Sequence, residues 1–239
     1  VCVLLVAGGV IVVWYMRKKR EFLRQRFFQQ INRVRMENLR SRISPHFTFN
    51  VLGREINQFN GSEEVKHNLM ELVKYLRRSL ELTEKLSVSL QDELDFVRTY
   101  IELERGRVGE DFVATITVED GLDATRIMIP SMIVQVPVEN AIKHGLAGKD
   151  GKKELMVYVS RETNGIRITV TDNGRGYLPQ VVSATRGTGT GLKVLYQTIQ
   201  LLNTKNKSDK IRFNITNRSD GQTGTEVSVY IPFRFSYDL

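Results

Sequence analysis

The sequence predicts an α+β protein in which an apolar segment and a helical stretch precede a mixed α/β domain. Three observations support this prediction. The first 16 residues carry no charge, the stretch from Glu21 to Leu103 has helical periodicity with one Pro and two Gly, and strand patterns begin after Gly106. The composition, with 41% hydrophobic and 26% charged residues, excludes a collagenous, fully disordered or multi-span membrane protein.

The chain is poor in the residues that build metal clusters and disulfides. It has one cysteine, Cys2, and three histidines. One cysteine cannot form a disulfide framework or a cysteine-based zinc cluster. Three scattered histidines also argue against a histidine-rich metal site, so the chemistry must be sought in other residue types.

Most of the positive charge lies in one segment. Residues 17–42 carry ten basic and two acidic side chains, an excess equal to the net charge of +8 of the whole chain. The residues after Arg42 are therefore balanced in charge. Because a nucleic-acid-binding domain needs a basic surface of its own, we do not expect nucleic acid as a partner.

The first 16 residues predict a membrane segment. At about 1.5 Å per residue, a helix of this length reaches roughly 24 Å, one turn short of a hydrocarbon core of about 30 Å. We interpret residues 1–16 as the C-terminal part of a transmembrane helix, with a buried core segment as the alternative. The basic cluster 17–20 follows the apolar run instead of preceding it as in a signal peptide. The positive-inside rule then places the chain from about Arg17 onward in the cytoplasm.

The helical stretch divides into a linker and a hairpin. Residues 17–42 are predicted to be a basic juxtamembrane helical linker, and residues 43–105 to form two helices with narrow apolar seams. The seam positions are Val65, Leu69, Leu72, Leu76 and Leu80 in one helix, and Leu90, Leu94, Val97 and Ile101 in the next. Ser89 and Asp92 resemble a capping box at the start of the second. We favour pairing of this hairpin with a second copy, as a four-helix bundle in a homodimer, over packing against the later domain.

A proline-histidine sequence interrupts the first part of the hairpin region. Pro45 removes a backbone donor and kinks a helix, which opens the chain beside His46. An imidazole with its ordinary pKa near 6.5 is about three quarters neutral at pH 7, and neutral imidazole is a nucleophile. A lone histidine on a helix is more often an ordinary surface or core residue, so the local pattern by itself leaves both interpretations open. His67 has no such neighbours and is interpreted as solvated surface.

Residues 106–239 predict a mixed sheet with helices on one face. Period-two or β-branched patterns predict strands at Phe112–Val118, Leu155–Ser160, Ile166–Thr171, Ile211–Thr216 and Glu226–Ile231. Gly165 marks a hairpin turn between the second and third strands. Helices are predicted at Ser131–His144 and Leu192–Leu202.

The first chemical cluster of this domain lies on the earlier predicted helix. Glu139 and Lys143 are four residues apart, and Asn140 and Lys143 three, so the three share a face. Carboxylate and amide oxygens suit Mg²⁺, and an ammonium meets phosphate oxygens. A solvent-exposed salt-bridged face is the simpler alternative.

Two glycine clusters follow. Asp172-Asn173-Gly174-Arg175-Gly176 comes directly after a predicted strand, where it forms either a plain turn or a carboxylate aimed at a purine amino group. Residues 187–192 open the last predicted helix with Gly187, Gly189 and Gly191, whose backbone N–H groups could cradle phosphates. The second cluster follows no dinucleotide-binding strand with an acid about twenty residues on, and it lacks the Gly-Lys-Ser/Thr end of a Walker A loop.

The clusters in this order resemble the GHKL (Bergerat) ATP-binding family. Asn140 lies where that family has its N box, residues 172–176 resemble its first glycine box, and residues 187–192 resemble its second. The upstream Ser-Pro-His-Phe-x-Phe-Asn sequence at 44–50 resembles the phosphoacceptor region of LytS-type sensor histidine kinases. The resemblance covers about residues 38–232 and implies an α/β-sandwich ATP-binding catalytic domain at 106–239.

The resemblance implies ATP and Mg²⁺ as cofactors and assigns roles to residues. His46 would be the phosphoacceptor, Glu139 would orient or deprotonate it, and Asn140 would ligate the metal. Asp172 would accept the adenine amino group. The remaining implied nucleotide-binding residues are Lys143, His144, Gly174, Gly176, Gly187, Gly189, Gly191 and Thr225.

The expected function is therefore that of a sensor histidine kinase in the bacterial inner membrane. It would phosphorylate His46 and pass the phosphoryl group to an aspartate of a response regulator. The alternatives are a degenerate module that only binds nucleotide or scaffolds partners, and an ATPase of the same fold that forms no phosphohistidine.

Overall fold

The computed structural model describes residues 14–19, 63–177, 190–204, 206 and 208–237. Residues 14–19 are helical, and Lys18 lies over the Trp14 ring at 4.5 Å. Among the described helices, none combines the length and the apolar character that crossing a bilayer requires. Most of the predicted membrane segment (residues 1–13) and the phosphoacceptor sequence around His46 lie outside the described residues.

The described part of the chain forms helices and strands in mixed order. The helices are α1 (Glu63–Glu84), α2 (Leu90–Val108), α3 (Gln135–Asn140) and α4 (Thr190–Asn203), and a π-helical turn at Ala141–Gly145 continues α3. The strands are β1 (Ser87–Ser89), β2 (Phe112–Val118), β3 (Met128–Pro130), β4 (Lys153–Glu162), β5 (Gly165–Asp172), β6 (Arg212–Asn217) and β7 (Thr225–Pro232).

Five strands form one mixed sheet in the order β2-β4-β5-β7-β6. The β2–β4 pair is parallel, and the other three pairs are antiparallel. The predicted hairpin at Gly165 is confirmed, because Gly165 pairs with Glu162 across a tight turn. All five predicted strands are present, with ends that differ by no more than two residues.

One face of the sheet is apolar and carries the core. Val157 on β4 lies opposite Val170 on β5, which lies opposite Val227 on β7, and all three are buried. Residues of α2, α3 and α4 belong to the same buried cluster. The other face is more open, since Val113, Met156 and Tyr158 are exposed there. This is the expected α/β sandwich, with period-two strands that bury one side only.

Helix α2 begins as predicted. Ser89 is its N-cap, and its side chain accepts the backbone N–H of Asp92 at 3.0 Å. The Ser89 hydroxyl also donates to the Asp92 carboxylate at 2.8 Å. Because these hydrogen bonds join residues that are close in the chain, the start of α2 could be predicted from the sequence.

The described seam residues of the hairpin pack within this chain. Leu72 on α1 and Leu90, Leu94, Val97 and Ile101 on α2 are buried in the same cluster as the inner face of the sheet. This intramolecular packing is the alternative that the sequence left open. A four-helix bundle is not seen in the single chain, and the domain boundary at residue 105 stays a prediction.

A small second sheet connects the hairpin to the domain with the five-stranded sheet. Strand β1 pairs antiparallel with β3, and Val88 lies opposite Ile129. The Leu90 N–H donates to the Ile127 carbonyl at 2.8 Å. Neither strand is predicted from the sequence, because three-residue strands show too little alternation to be recognised.

The predicted helix at Ser131–His144 starts later than expected. The chain from Ser131 to Val134 forms turns, Met132 has a φ of 70°, and α3 begins at Gln135. The prediction was wrong there because a buried carboxylate from another helix bonds the backbone of this segment. That contact has no signal in the local sequence.

Candidate functional site

Asp172 is the buried anchor of the candidate site. It ends β5 with only 3% of its surface exposed. Its Oδ1 accepts the backbone N–H of Gly174 at 2.8 Å and that of Thr225 at 3.4 Å. Burial raises the pKa of Asp172 above its ordinary value of 3.8, while these two donors, the Thr225 side chain and Arg218 act in the opposite direction. The site therefore holds a largely desolvated carboxylate that nearby donors partly stabilise.

Two segments that are far apart in sequence cross closely beside Asp172. A Cβ added to Gly174 would lie 2.1 Å from the Gly145 carbonyl oxygen. A Cβ on Gly145 would lie 2.8 Å from the Asp172 carboxyl carbon. The backbone of the first glycine cluster thus contacts the backbone at the end of the helical segment with Glu139 and Asn140. This contact brings the residues predicted to bind the purine close to those predicted to bind phosphate.

The loop before β7 closes the third side. Gly224 has a φ of 141°, and a Cβ there would lie 1.9 Å from the Asp172 carbonyl oxygen. Gly176 also has a positive φ, 85°. Glycine is required at both positions because other residues rarely adopt such backbone angles.

The close crossing predicts unequal effects of two glycine substitutions. Gly174→Ala forces a methyl group into the Gly145 backbone and is expected to cost about 1–3 kcal/mol or more of unfolding free energy, as overpacking does. Gly191→Ala is the matched control, because its Cβ would only reach Val136 Cγ1 at an ordinary 3.5 Å. Urea unfolding of the two variants measures the difference. Equal stability of both would contradict the described crossing.

The polar residues of α3 and the π-helical turn share one face, as predicted. Lys143 and Glu139 form an ion pair, and both side chains are partly buried. The Asn140 side-chain nitrogen donates to the Val136 carbonyl at 2.8 Å, which orients the amide and does not use its oxygen. An amide oxygen suits Mg²⁺, which binds few protein groups and keeps water and phosphate oxygens as its other ligands. In the described part of the chain, no cluster of three or more His, Cys, Asp or Glu could hold a metal by itself.

His144 lies where the two segments join. Its backbone carbonyl accepts Arg175 Nε at 3.0 Å, and the neighbouring Gly145 carbonyl accepts the Arg175 N–H at 3.4 Å. Burial, then Lys143, then Arg175 lower the pKa of His144 below its ordinary value of 6.5, and Glu139 acts weakly against them. The imidazole is therefore neutral at pH 7.

This lowered pKa predicts a pH effect on stability. The unfolded chain takes up a proton at His144 near pH 6.5, whereas the folded chain does so only at a lower pH. The contribution of neutral His144 to the free energy of unfolding is therefore fully present above pH 6.5. It decreases as the pH falls toward the pKa that His144 has in the folded chain. We expect His144→Gln to lose less unfolding free energy than the unchanged chain between about pH 7 and pH 5.5 in urea titrations. Parallel losses in both proteins would contradict this prediction.

The remaining predicted site residues divide between the described and undescribed parts. Gly187 and Gly189 lie outside the described residues, as does His46. Gly191 is in the first turn of α4, beside Val136 of α3. The sequence gives no role to Asn217, yet its Oδ1 accepts the Tyr177 N–H at 2.6 Å where the chain leaves the site.

Asn173 also has a role that sequence reasoning missed. Its Oδ1 accepts the Glu154 N–H at 2.8 Å, and its Nδ2 donates to the Lys152 carbonyl at 3.0 Å. These bonds fix the loop after β5 to the start of β4. An Asn next to an Asp in a turn is too common a pattern to predict such a contact.

Two known protein families match this chain, one in each half. Residues 34–112 match the family described as histidine kinase, and residues 125–234 match the family described as histidine kinase-, DNA gyrase B-, and HSP90-like ATPase. The second match includes Glu139, Asn140, Asp172 and the loop before β7. The chain belongs to the histidine kinase family.

Named relatives of the chain agree with the assignment. Sensor histidine kinase YpdA of Escherichia coli (strain K12) is 28% identical over 205 residues, which are 85% of this chain and 35% of that protein. Sensor histidine kinase/phosphatase LytS of Staphylococcus aureus (strain MRSA252) is 32% identical over 197 residues, which are 79% of this chain and 33% of that protein. The chain thus spans about a third of the length of these curated relatives.

Among solved structures, a histidine kinase domain is similar to this chain. The histidine kinase domain from Erythrobacter litoralis EL346 blue-light activated histidine kinase is 16% identical with a TM-score of 0.47. That match covers 86% of this chain and 94% of the other. The LytS-type resemblance noted in the sequence is confirmed by the family matches and the named relatives.

Proposed function

We propose that this sensor histidine kinase uses Mg-ATP to phosphorylate His46 and relays the phosphoryl group to an aspartate of a response regulator. The observation that carries the proposal is the buried Asp172 carboxylate, wedged between the Gly145 turn and the loop before β7. A desolvated carboxylate at the end of a strand is suited to accept the adenine amino group, and the flanking glycines let the base approach the backbone.

The α3 face supplies the phosphate end of the proposed site. Asn140 Oδ1 would hold Mg²⁺, and the metal, when bound, neutralises charge on the phosphate oxygens. Lys143 would exchange its ion pair with Glu139 for a phosphate oxygen, and His144 would lie beside it. That exchange would release the Glu139 carboxylate to orient or deprotonate His46. The ion pair between Lys143 and Glu139 supports this sequence of events.

The transfer itself needs positioning and charge neutralisation more than covalent help from the protein. A neutral imidazole nitrogen of His46 would bond to the γ-phosphorus as the bond to the bridging oxygen of ADP breaks. Gly174, Gly176 and Thr225 would line the base, and Gly187, Gly189 and Gly191 would lie along the phosphates.

The biological setting is part of the proposal. The uncharged residues 1–16 followed by a basic cluster support a membrane anchor, with the catalytic part in the cytoplasm. A homodimer joined through a four-helix bundle and a response-regulator partner would follow from membership of the family. Because the α2 seam packs within this chain, the bundle would need residues other than Leu90, Leu94, Val97 and Ile101.

Incubation of the full chain with γ-labelled ATP tests the proposal. We expect acid-labile label on the protein in the presence of Mg²⁺ and none when the metal is chelated. Release of free phosphate without labelled protein would indicate an ATPase of the same fold. Neither label nor free phosphate would indicate a binding or scaffolding module and would refute the kinase.

A further inference from the structure

Glu93 is a fully buried carboxylate that bonds the backbone of a distant segment. It lies in the first turn of α2 with 0% of its surface exposed. Its Oε2 accepts the Met132 N–H at 2.9 Å, and its Oε1 accepts the N–H groups of Val134 and Gln135 at 3.1 and 3.2 Å. Three converging donors satisfy a buried carboxylate that would otherwise be very costly.

The segment that Glu93 bonds is strained. Met132 is 6% exposed and has a φ of 70°, in the left-handed region that residues other than glycine rarely adopt. Such a conformation is unfavourable and persists only where the surroundings hold it. The Met132 N–H bond to Glu93 is one contact that holds it here.

The same contact replaces the missing cap of α3. Val134, at the N-cap position of α3, makes no side-chain capping bond, and the helix starts at the next residue, Gln135. The first N–H groups of a helix have no partner within it, and a carboxylate is the most favourable acceptor for them. Glu93 therefore sets where α3 begins and how it is oriented.

One helical turn separates this cap from the candidate catalytic groups. Glu139 is four residues after Gln135, so a shift at the start of α3 moves Glu139 and Asn140 with it. The hydrogen bonds to Asp172 come from Gly174 and Thr225, and the continuation of α3 approaches this carboxylate at Gly145, ten residues after Gln135. The two ends of the proposed nucleotide site thus differ in their hydrogen-bonding supports.

We propose that Glu93 is a positioning residue that holds Glu139 and Asn140 in register with the nucleotide, and that it links the orientation of α2 to phosphoryl transfer. The inference rests on the proposed function for its kinetic consequence. Helix α2 follows the hairpin region directly, and its start is fixed to residues 124–130 by the β1–β3 pairing and the Leu90 and Gln91 N–H bonds. Glu93 extends that attachment to the catalytic helix.

The test compares Glu93→Gln with Asp95→Asn. Gln keeps the shape and one acceptor oxygen but turns an amide donor toward one of the N–H groups. Asp95→Asn removes one charge from the exposed face of the same helix, where Asp95 bonds Gln91 and Arg98. We expect E93Q to lower the rate of His46 phosphorylation at saturating Mg-ATP by about tenfold or more, as displaced catalytic groups do. Affinity for adenosine should stay within about twofold, because the hydrogen bonds to Asp172 come from Gly174 and Thr225, which E93Q does not contact.

Three outcomes decide the proposal. An unchanged phosphorylation rate in E93Q overturns it, and so does a parallel loss of adenosine affinity, which would indicate a merely structural role. Amide hydrogen exchange supplies a readout that needs no ATP: residues 139–145 should exchange faster in E93Q than in D95N, and strand β4 should not. If the unchanged chain transfers no phosphate, the proposed function has failed, and the exchange data alone then support or overturn the positioning role.

Discussion

Replacing Asp172 by Asn is expected to weaken ATP binding by at least about 100-fold without unfolding the protein. Asn keeps an oxygen for the N–H groups of Gly174 and Thr225, so its amide nitrogen faces the position proposed for the adenine amino group. The amide N–H of the Asn side chain and the amino N–H of adenine would then face each other in a buried site without an acceptor between them. Losing a hydrogen bond to a charged group costs about 1.5–3 kcal/mol, and an unsatisfied buried donor adds about 1–3 kcal/mol.

The free energy of unfolding of D172N should stay equal or rise, in contrast to its affinity for ATP. Because burial raises the pKa of Asp172, the folded chain binds this proton more tightly than the unfolded chain. The folded state is therefore favoured below pH 3.8, and that advantage is lost as the pH rises through the folded pKa. A neutral Asn avoids this cost at pH 7, so we expect unfolding free energy at pH 7 that is equal or higher.

Titration with a fluorescent ATP analogue and urea unfolding measure the two effects separately. Asp120→Asn is the control, because Asp120 is exposed beyond the opposite end of β2 from the site. Wild-type affinity in D172N would contradict the role of Asp172 as the adenine acceptor. Joint loss of affinity and stability would mean that the residue supports only the fold.

Replacing His46 by Gln is expected to abolish acid-labile labelling while leaving ATP affinity unchanged. The amide of Gln has no nucleophilic nitrogen, whereas the neutral imidazole that predominates at pH 7 has one. The proposed nucleotide site is built from residues 139–225, so a change at residue 46 removes the acceptor and not the donor. D172N and H46Q thus separate nucleotide binding from acceptance of the phosphoryl group.

His67→Gln is the matched control for this prediction, since it removes another histidine of the hairpin region. We expect it to keep full labelling after incubation with γ-labelled ATP and Mg²⁺. Label that survives H46Q and disappears in H67Q or His144→Gln would move the acceptor to a different histidine. Loss of ATP affinity in H46Q would indicate that residue 46 supports the nucleotide site itself.

The strands and the local signals of the site were predictable because each depends on near neighbours. Alternating residues such as Ala114 and Ile116 show period two whatever they contact later, and the spacing of Glu139 and Lys143 places them on one face of any helix. The Ser89 cap is equally local. Residues 44–50 were interpreted in the same way, and the role of His46 stays a prediction.

The contacts of the site were not predictable because they join segments distant in the chain. Nothing near Gly174 indicates that its Cα faces the Gly145 carbonyl, and nothing distinguishes it from Gly191, which has room for a methyl group. Glu93 was passed over because a carboxylate beside an apolar seam is ordinarily solvated. Only the partner strand or helix reveals such roles.

The sequence by itself determined the order of the elements, the apolar and basic beginning of the chain, and the set of groups suited to bind a nucleotide. These features follow from the periodicity, charge and chemistry of the residues, which the sequence alone contains. Tertiary structure decided that the α2 seam is buried within this chain and that Glu93 caps α3. It also decided which glycines are irreplaceable. Packing and hydrogen bonding between distant segments settle these points, because burial of a side chain or a carboxylate depends on what the rest of the fold brings against it.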